Sequence, residues 1–128
     1  MPFAQQFRVV VDCPDAEALA GFYQGLLGGT VEVGQNGWVA LNDTGGVAAL
    51  DFQQVEDFQP PTWPGGPAPV QLHLDFYVDD LEATAARASA AGATRLEVQP
   101  NDHCLVFADP AGHPFCLSTW GVRQLFDS

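Results

Sequence analysis

Gln71-Leu-His-Leu-Asp-Phe-Tyr-Val-Asp-Asp80 alternates almost without a break, and its reading decides the fold. Side chains along a strand point to opposite faces with a period of two. Leu72, Leu74, Phe76 and Val78 therefore share one face, and Gln71, His73, Asp75 and Tyr77 share its back. A solvated strand face usually carries Lys, Glu or Thr. A file of Gln, His, Asp and Tyr is different, because each of these can hold a ligand or a metal. The next residues, Asp80-Leu-Glu-Ala-Thr-Ala-Ala-Arg87, open a helix: Asp80 can accept the free N–H groups at its start, and Glu82 adds acid to the first turn.

The same plan occurs earlier in the chain. Gln6-Phe-Arg-Val-Val-Val-Asp12 is a β-rich run with Phe7, Val9 and Val11 on one face. It leads into a helix over 14–27, with Pro14 suited to the first helical position. Leu19, Phe22, Tyr23 and Leu26 recur as the stripe of a helix packed on a sheet, and Gly28-Gly29 stops it. Strands follow at 30–33, 37–41 and 47–54, separated by Gly- and Asn-rich turns. In the second half a strand over 71–78 and a helix over 81–91, stopped by Gly92, are followed by strands at 94–99, 103–108 and 114–119.

Subtraction exposes the repeat. Val11 and Val78 lie 67 residues apart, as do Gln6 and His73 and also Arg8 and Asp75; an offset of 65 then matches Trp38 with His103 and Asp51 with Cys116. The fold class expected is α+β, with two tandem βαβββ modules forming curved sheets around a shared cavity. The expected organisation is a single domain over 1–128: module one at 5–54, a proline-rich connector at 55–69, module two at 70–120 and a tail at 121–128 that Trp120 and Phe126 could anchor. The connector's Pro60-Pro-Thr-Trp-Pro-Gly-Gly-Pro67 is too rich in breakers for either regular element.

Composition narrows the partners. The 128 residues carry 16 acidic and 4 basic side chains, a formal net charge of −12, and no lysine. Such a field repels nucleic acid and anionic membrane, and leaves neutral or cationic small molecules open. High solubility is the plainer meaning of the same charge. Cys13, Cys104 and Cys116 are odd in number and widely spaced, which gives neither a disulfide framework nor a CxxC zinc pattern and fits a reducing cytoplasm. The N-terminal residues show no basic region or long apolar run, so neither a signal peptide nor a membrane span is expected.

Three motifs carry a family likeness: His73-Leu-Asp-Phe-Tyr-Val-Asp-Asp-Leu-Glu82, Phe22-Tyr-Gln-Gly-Leu-Leu-Gly-Gly29 and Ala108-Asp-Pro-Ala-Gly-His-Pro-Phe-Cys-Leu117. The chain resembles the vicinal oxygen chelate superfamily, which includes glyoxalase I, extradiol dioxygenases, fosfomycin-resistance enzymes and bleomycin-resistance proteins. It is most similar to small glyoxalase-like proteins in which a Pro-Pro-x-Trp-Pro connector precedes a His-Leu-Asp strand. The superfamily spans isomerases, lyases, thiol transferases, oxygenases and plain drug binders, so the likeness implies a fold more sharply than a reaction.

Its metal enzymes take a His or Gln five residues before the Val of each module's first strand, and a Glu from each last strand. Carried over, this implies Gln6, Asp51, His73 and Cys116 as metal ligands, with a shortened carboxylate at Asp51 and a thiol in place of the second Glu. A divalent Zn, Mn, Fe or Ni ion is the cofactor such a set would take. The alternative for these residues is structural: a hydrogen-bonded cavity His and a small buried Cys.

Strand parity adds Arg8, Trp38, Asp75, Tyr77 and His103 to the expected cavity lining. For Arg8 and Asp75 the competing expectation is a mutual ion pair, and for Trp38 and His103 it is aromatic packing. Trp63 is a lid or a staple. Cys13 lies at the start of a helix, where a dipole lowers a thiol pKa, and is read as structural; His113 is placed in a solvated turn. Two functions remain. One is a metal-assisted lyase, isomerase or dioxygenase acting on a small oxygenated substrate. The other is a metal-free protein that sequesters a drug or metabolite, as bleomycin-resistance proteins are understood to do. Module pairing within or between chains leads to an expected homodimer.

Overall fold

Asp15 begins the first helix of the computed structural model, which describes residues 3–4, 7–45 and 50–120. The Asp15 carboxylate accepts from Ala18 N at 3.1 Å, so α1 runs Ala16–Leu27 and Pro14 falls just outside it rather than at its first position. A side-chain cap satisfies a helix-end N–H, which a proline cannot do. Gly28 closes the helix through its N–H on Gln24 O at 2.8 Å. Around α1 lie β1 (Val9–Cys13), β2 (Thr30–Val33), β3 (Trp38–Asn42) and β4 (Leu50–Gln54). Their order in the sheet is β1-β4-β3-β2, with β1 parallel to β4 and the other pairs antiparallel.

The second module repeats this connectivity. β5 (Leu74–Tyr77), α2 (Leu81–Ala90), β6 (Thr94–Arg95), β7 (Cys104–Ala108) and β8 (Pro114–Ser118) form a sheet ordered β5-β8-β7-β6, again with the outer pair β5–β8 parallel. Asp80 caps α2 by accepting from Ala83 N at 3.0 Å. The helix ends with Ala93 N on Ala88 O and Gly92 N on Ser89 O, a glycine-terminated turn that requires the positive φ of Gly92. The expected α+β fold of two βαβββ modules is therefore present. The chain divides into two compact units, Met1–Phe58 and Gln59–Ser128.

Each module buries one sheet face beneath its helix. In module one Val39, Leu41, Leu50 and Phe52 meet Leu19, Phe22 and Tyr23, and the Tyr23 ring stacks on Phe52 with centroids 5.7 Å apart. In module two Leu105, Phe107, Phe115 and Leu117 are buried with only Ala85 and Ala88 from α2. The thin, alanine-rich second helix has little more to offer. Phe115 stacks on Phe107 and meets Phe76 edge-on, so aromatic contacts on the sheet supply what the helix lacks.

Several boundaries move. β1 starts at Val9, leaving Phe7 exposed. β5 covers only the middle of the alternating stretch, with His73 just before it. The expected strand at 94–99 shrinks to Thr94–Arg95 because the Gln99 carboxamide takes over the ladder: it accepts from Val106 N at 2.8 Å and donates to Val106 O at 3.0 Å. Residues 46–49, the start of the expected fourth strand, and the tail at 121–128 with Phe126 lie outside the described residues. Among the described residues no helix is long and apolar enough to cross a membrane.

Register corrects the repeat. Val9 pairs with Leu50 and Leu74 with Phe115, so the residue matching Arg8 is His73, not Asp75. Trp38 pairs with Gln53 and Cys104 with Ser118, so the counterpart of Trp38 is Cys104, not His103. Asp51 and Cys116 remain equivalent, opposite Val10 and Asp75 respectively. The slips of one and two residues arise because helix and turn lengths differ between the halves, which subtraction cannot see.

Candidate functional site

On the sheet face away from α1, module one ties its charges together. Arg8 Nη2 donates to Asp51 Oδ1 at 2.6 Å and Nε to Asp51 Oδ2 at 2.8 Å. Trp38 Nε1 donates to the same Oδ2 at 3.0 Å. Arg8 Nη2 also reaches Asn42 Oδ1 at 2.9 Å, and Asn42 Nδ2 donates to Glu32 at 3.3 Å. Asp51 is 3 % exposed. Burial pushes its carboxyl pKa up, but the hydrogen bonds from Arg8 and Trp38 and the Arg8 charge outweigh that and hold it below the ordinary value. The Asp51 bond in turn raises Arg8.

Module two fills the equivalent positions differently. His73, Cys104 and Cys116 stand where module one has Arg8, Trp38 and Asp51, and Asp75 stands where it has Val10. The His73 imidazole Nε2 lies 3.2 Å from Asp75 Oδ1, and both side chains are partly exposed. One ligand atom each from His73, Asp75 and Cys116 falls within 4.8 Å of the others. The Cys116 thiol is within hydrogen-bonding reach of Asp75 and Cys104. Burial first, then the Asp75 charge and Cys104, push it up to about 12. At neutral pH it is a protonated thiol.

The remaining expected residues scatter. Arg8 and Asp75 each have an ion-pair partner inside their own module, Asp51 and His73 respectively. Tyr77 is exposed at the end of β5, on the His73–Asp75 side. His103 leaves this group and stacks on Trp120, centroids 3.9 Å apart, beside an open depression also lined by Asn101, Asp102 and Thr119. Gln6 lies outside the described residues. Cys13 ends β1 rather than starting a helix; it is fully buried, and its thiol sits 3.7 Å from Gln53 O. Trp63 Nε1 donates to Val98 O at 3.3 Å, a staple from the connector onto module two. His113 is half-buried, its N–H donating to Asp109 Oδ1 at 3.0 Å. Asn42 and Cys104 were not anticipated from the sequence. Neither carried a signal in the sequence, because pairing between strands is what brings each to this face.

A family model described as a glyoxalase-like domain matches residues 8–118. The chain belongs to the glyoxalase-like family. Its superfamily is the vicinal oxygen chelate group, whose fold the solved structures share. One similar protein is the anthracycline biosynthesis protein DnrV of Streptomyces peucetius, 33% identical over 124 residues, covering 87% of this chain and 45% of that protein. The chain thus spans about half the length of the curated relatives it matches. Among solved structures, the fosfomycin-resistance protein FosX of Listeria monocytogenes, in complex with Mn(II) and sulfate, superposes with a TM-score of 0.72 at 14% identity, covering 97% of this chain and 95% of that one. The oxidase ChaP-H2 does so with a TM-score of 0.62 at 22% identity, covering 94% and 96%.

The glyoxalase-like metal set implied by the motifs does not fit module one. Of Gln6 and Asp51 only the second is described, and its carboxylate is already neutralised by a bidentate guanidinium and an indole N–H. A cation there would have to displace Arg8 from a buried partner. His73 and Cys116 remain as donors of a different kind, imidazole and sulfur, in module two.

Proposed function

We propose that this glyoxalase-like chain is a small-molecule-binding protein that takes an oxygen-bearing ligand on the polar sheet face of module one, opposite α1. The observation that carries this reading is the Arg8–Asp51–Trp38 network. It commits the module-one carboxylate to holding an arginine in place, where a metal enzyme of the superfamily would use a free carboxylate. An arginine fixed in this way is a preorganised donor for a ligand oxygen, and about a third of its side chain is exposed. A polyoxygenated aromatic is the first ligand class to test, because the similar DnrV is named for anthracycline biosynthesis.

The test is calorimetric titration of a hydroxylated anthraquinone into the protein in excess EDTA. Saturable binding at one ligand per chain is expected. Binding that appears only after a divalent metal is restored would overturn the metal-free reading. A second reading, a metal-assisted lyase, isomerase or dioxygenase, is favoured by one observation: the convergence of His73, Asp75 and Cys116. That reading would require activity to follow metal content.

A further inference from the structure

Arg8 spends its donors on one side only. Nε and Nη2 hold Asp51, and Nη2 also donates to Asn42, while Nη1 has no partner among the described residues. A guanidinium carries five N–H groups in one plane, so two of them are left at the edge away from the carboxylate. Beyond Arg8 the polar contacts run on across the sheet, with Asn42 Nδ2 donating to Glu32 Oε1 at 3.3 Å. Register places these groups on one face. Val10, Asp51, Ala40 and Glu32 are successive partners across β1, β4, β3 and β2, and Asp12, Trp38 and Asn42 lie two positions away on the same side.

We infer that the ligand of this face is a neutral hydroxy-carbonyl compound, held by a carbonyl oxygen on Arg8 Nη1 with its hydroxyls protonated, and that Glu32, positioned by Asn42, sets this preference. The inference rests on the small-molecule reading above and narrows it to one charge state. The charged side chains on the strands of this face are Arg8, Asp12, Glu32 and Asp51. The Arg8 charge is already offset by the carboxylate it grips, and Glu32 is near enough to act on the same guanidinium. A ligand carboxylate or phenolate would add negative charge where carboxylates already outnumber the cation, in a chain of net charge −12. It would also lose its hydration. A carbonyl oxygen accepts from the same two N–H groups without that repulsion.

The two ends of the network ask for different partners. Arg8 can only donate, and an ionised Glu32 can only accept. A protonated ligand hydroxyl has a hydrogen to give to Glu32; an ionised one has none and meets a like charge. Asn42 is spent at both ends, accepting from Arg8 and donating to Glu32, so it fixes the spacing between them. Trp38 bears on the ligand's shape. Its Nε1 donates to Asp51 Oδ2, the oxygen that Arg8 Nε also takes, so the indole is held beside the guanidinium and has only its half-buried ring to offer. A flat ring carrying the carbonyl suits that surface.

The experiment uses the full chain in excess EDTA and 1,2-dihydroxyanthraquinone, a dye whose colour reports its own ionisation. Its absorption is followed against pH, free and saturated with protein. The bound dye should ionise at least about one pH unit higher than the free dye, which is a tenfold preference for the neutral form. Burial of the dye alone would also raise that value, so Glu32→Gln is the deciding variant: the rise should shrink in it. Circular dichroism checks the variant's fold. Raising the salt, which screens exposed charges, should shrink the rise in the unaltered chain as well. A bound dye that ionises at or below the pH of the free dye, or a rise that neither Glu32→Gln nor salt reduces, would overturn the inference while leaving the binding reading in place. Absence of saturable binding would overturn both.

Discussion

Arg8 grips Asp51 as a fork grips a carboxylate, with 2.6 Å on one oxygen and 2.8 Å on the other. Such bidentate pairs are short, charge-assisted and geometrically exacting. The pair joins the residue before β1 to the middle of β4, 43 positions along the chain, so it also fastens the parallel edge of the first sheet. The polar face of that sheet is therefore held rigid by a network whose members satisfy each other.

Breaking the pair from one side should be costly. Arg8→Met leaves Asp51 buried with only the Trp38 indole, and is expected to destabilise the chain by about 2–4 kcal/mol in urea unfolding. Arg8→Met combined with Asp51→Leu removes both charges and should recover more than half of that loss. A single variant as stable as wild type would mean that the fork contributes nothing to the fold.

The same pair sets an acid limit. The folded Asp51 pKa lies below its unfolded value, so its stabilisation is fully present above the ordinary carboxylate value of about 3.9 and is lost as pH falls through the lower, folded pKa. Unfolding free energy followed from pH 6 down to about pH 2 should fall for wild type in that acid window. The part due to Asp51 should be missing from the Arg8→Met, Asp51→Leu chain. Equal acid slopes in both would place the sensitivity on other carboxylates.

Cys116 should be a slow nucleophile despite being only partly covered. A thiol at about 12, against about 8.5 for a free cysteine, holds roughly a thousandfold less thiolate at pH 8. Alkylation by iodoacetamide, read by mass spectrometry of the modified peptide, should lag a model thiol by that order. Asp75→Asn, which removes the neighbouring charge, should speed it. Rapid labelling in wild type would contradict the environment described for β8.

Much of this was legible in the letters. The alternation from Leu72 to Val78 correctly separates Leu74 and Phe76 from His73, Asp75 and Tyr77, because a half-buried strand has to alternate. Asp80 and Gly92 mark the ends of α2 through chemistry local to those residues. What could not be read is pairing across the sheet. Nothing in the sequence around Arg8 says that its partner is Asp51 rather than Asp75, since that depends on register between strands some 40 residues apart. The Gln99 carboxamide that replaces a strand is invisible for the same reason.

Two glycines should respond to alanine with opposite signs. Gly25 lies within α1 with open space where a Cβ would go, so Gly25→Ala should stabilise by roughly 0.5–1 kcal/mol. Gly29 has φ of +93° and its Cβ would collide with the Asn42 carbonyl, so Gly29→Ala should destabilise by more than about 1 kcal/mol. Thermal unfolding of the two variants checks both signs. Destabilisation by Gly25→Ala would mean that the α1 surface is covered.

The most direct measurement is of the Asp51 carboxyl carbon by carbon-13 magnetic resonance during a zinc titration. The Asp51 resonance should stay that of an ionised, arginine-bound carboxylate, with no change up to several equivalents of metal. An Asp51 signal that shifts in step with zinc would show that the carboxylate leaves Arg8 for the ion, and would contradict the account.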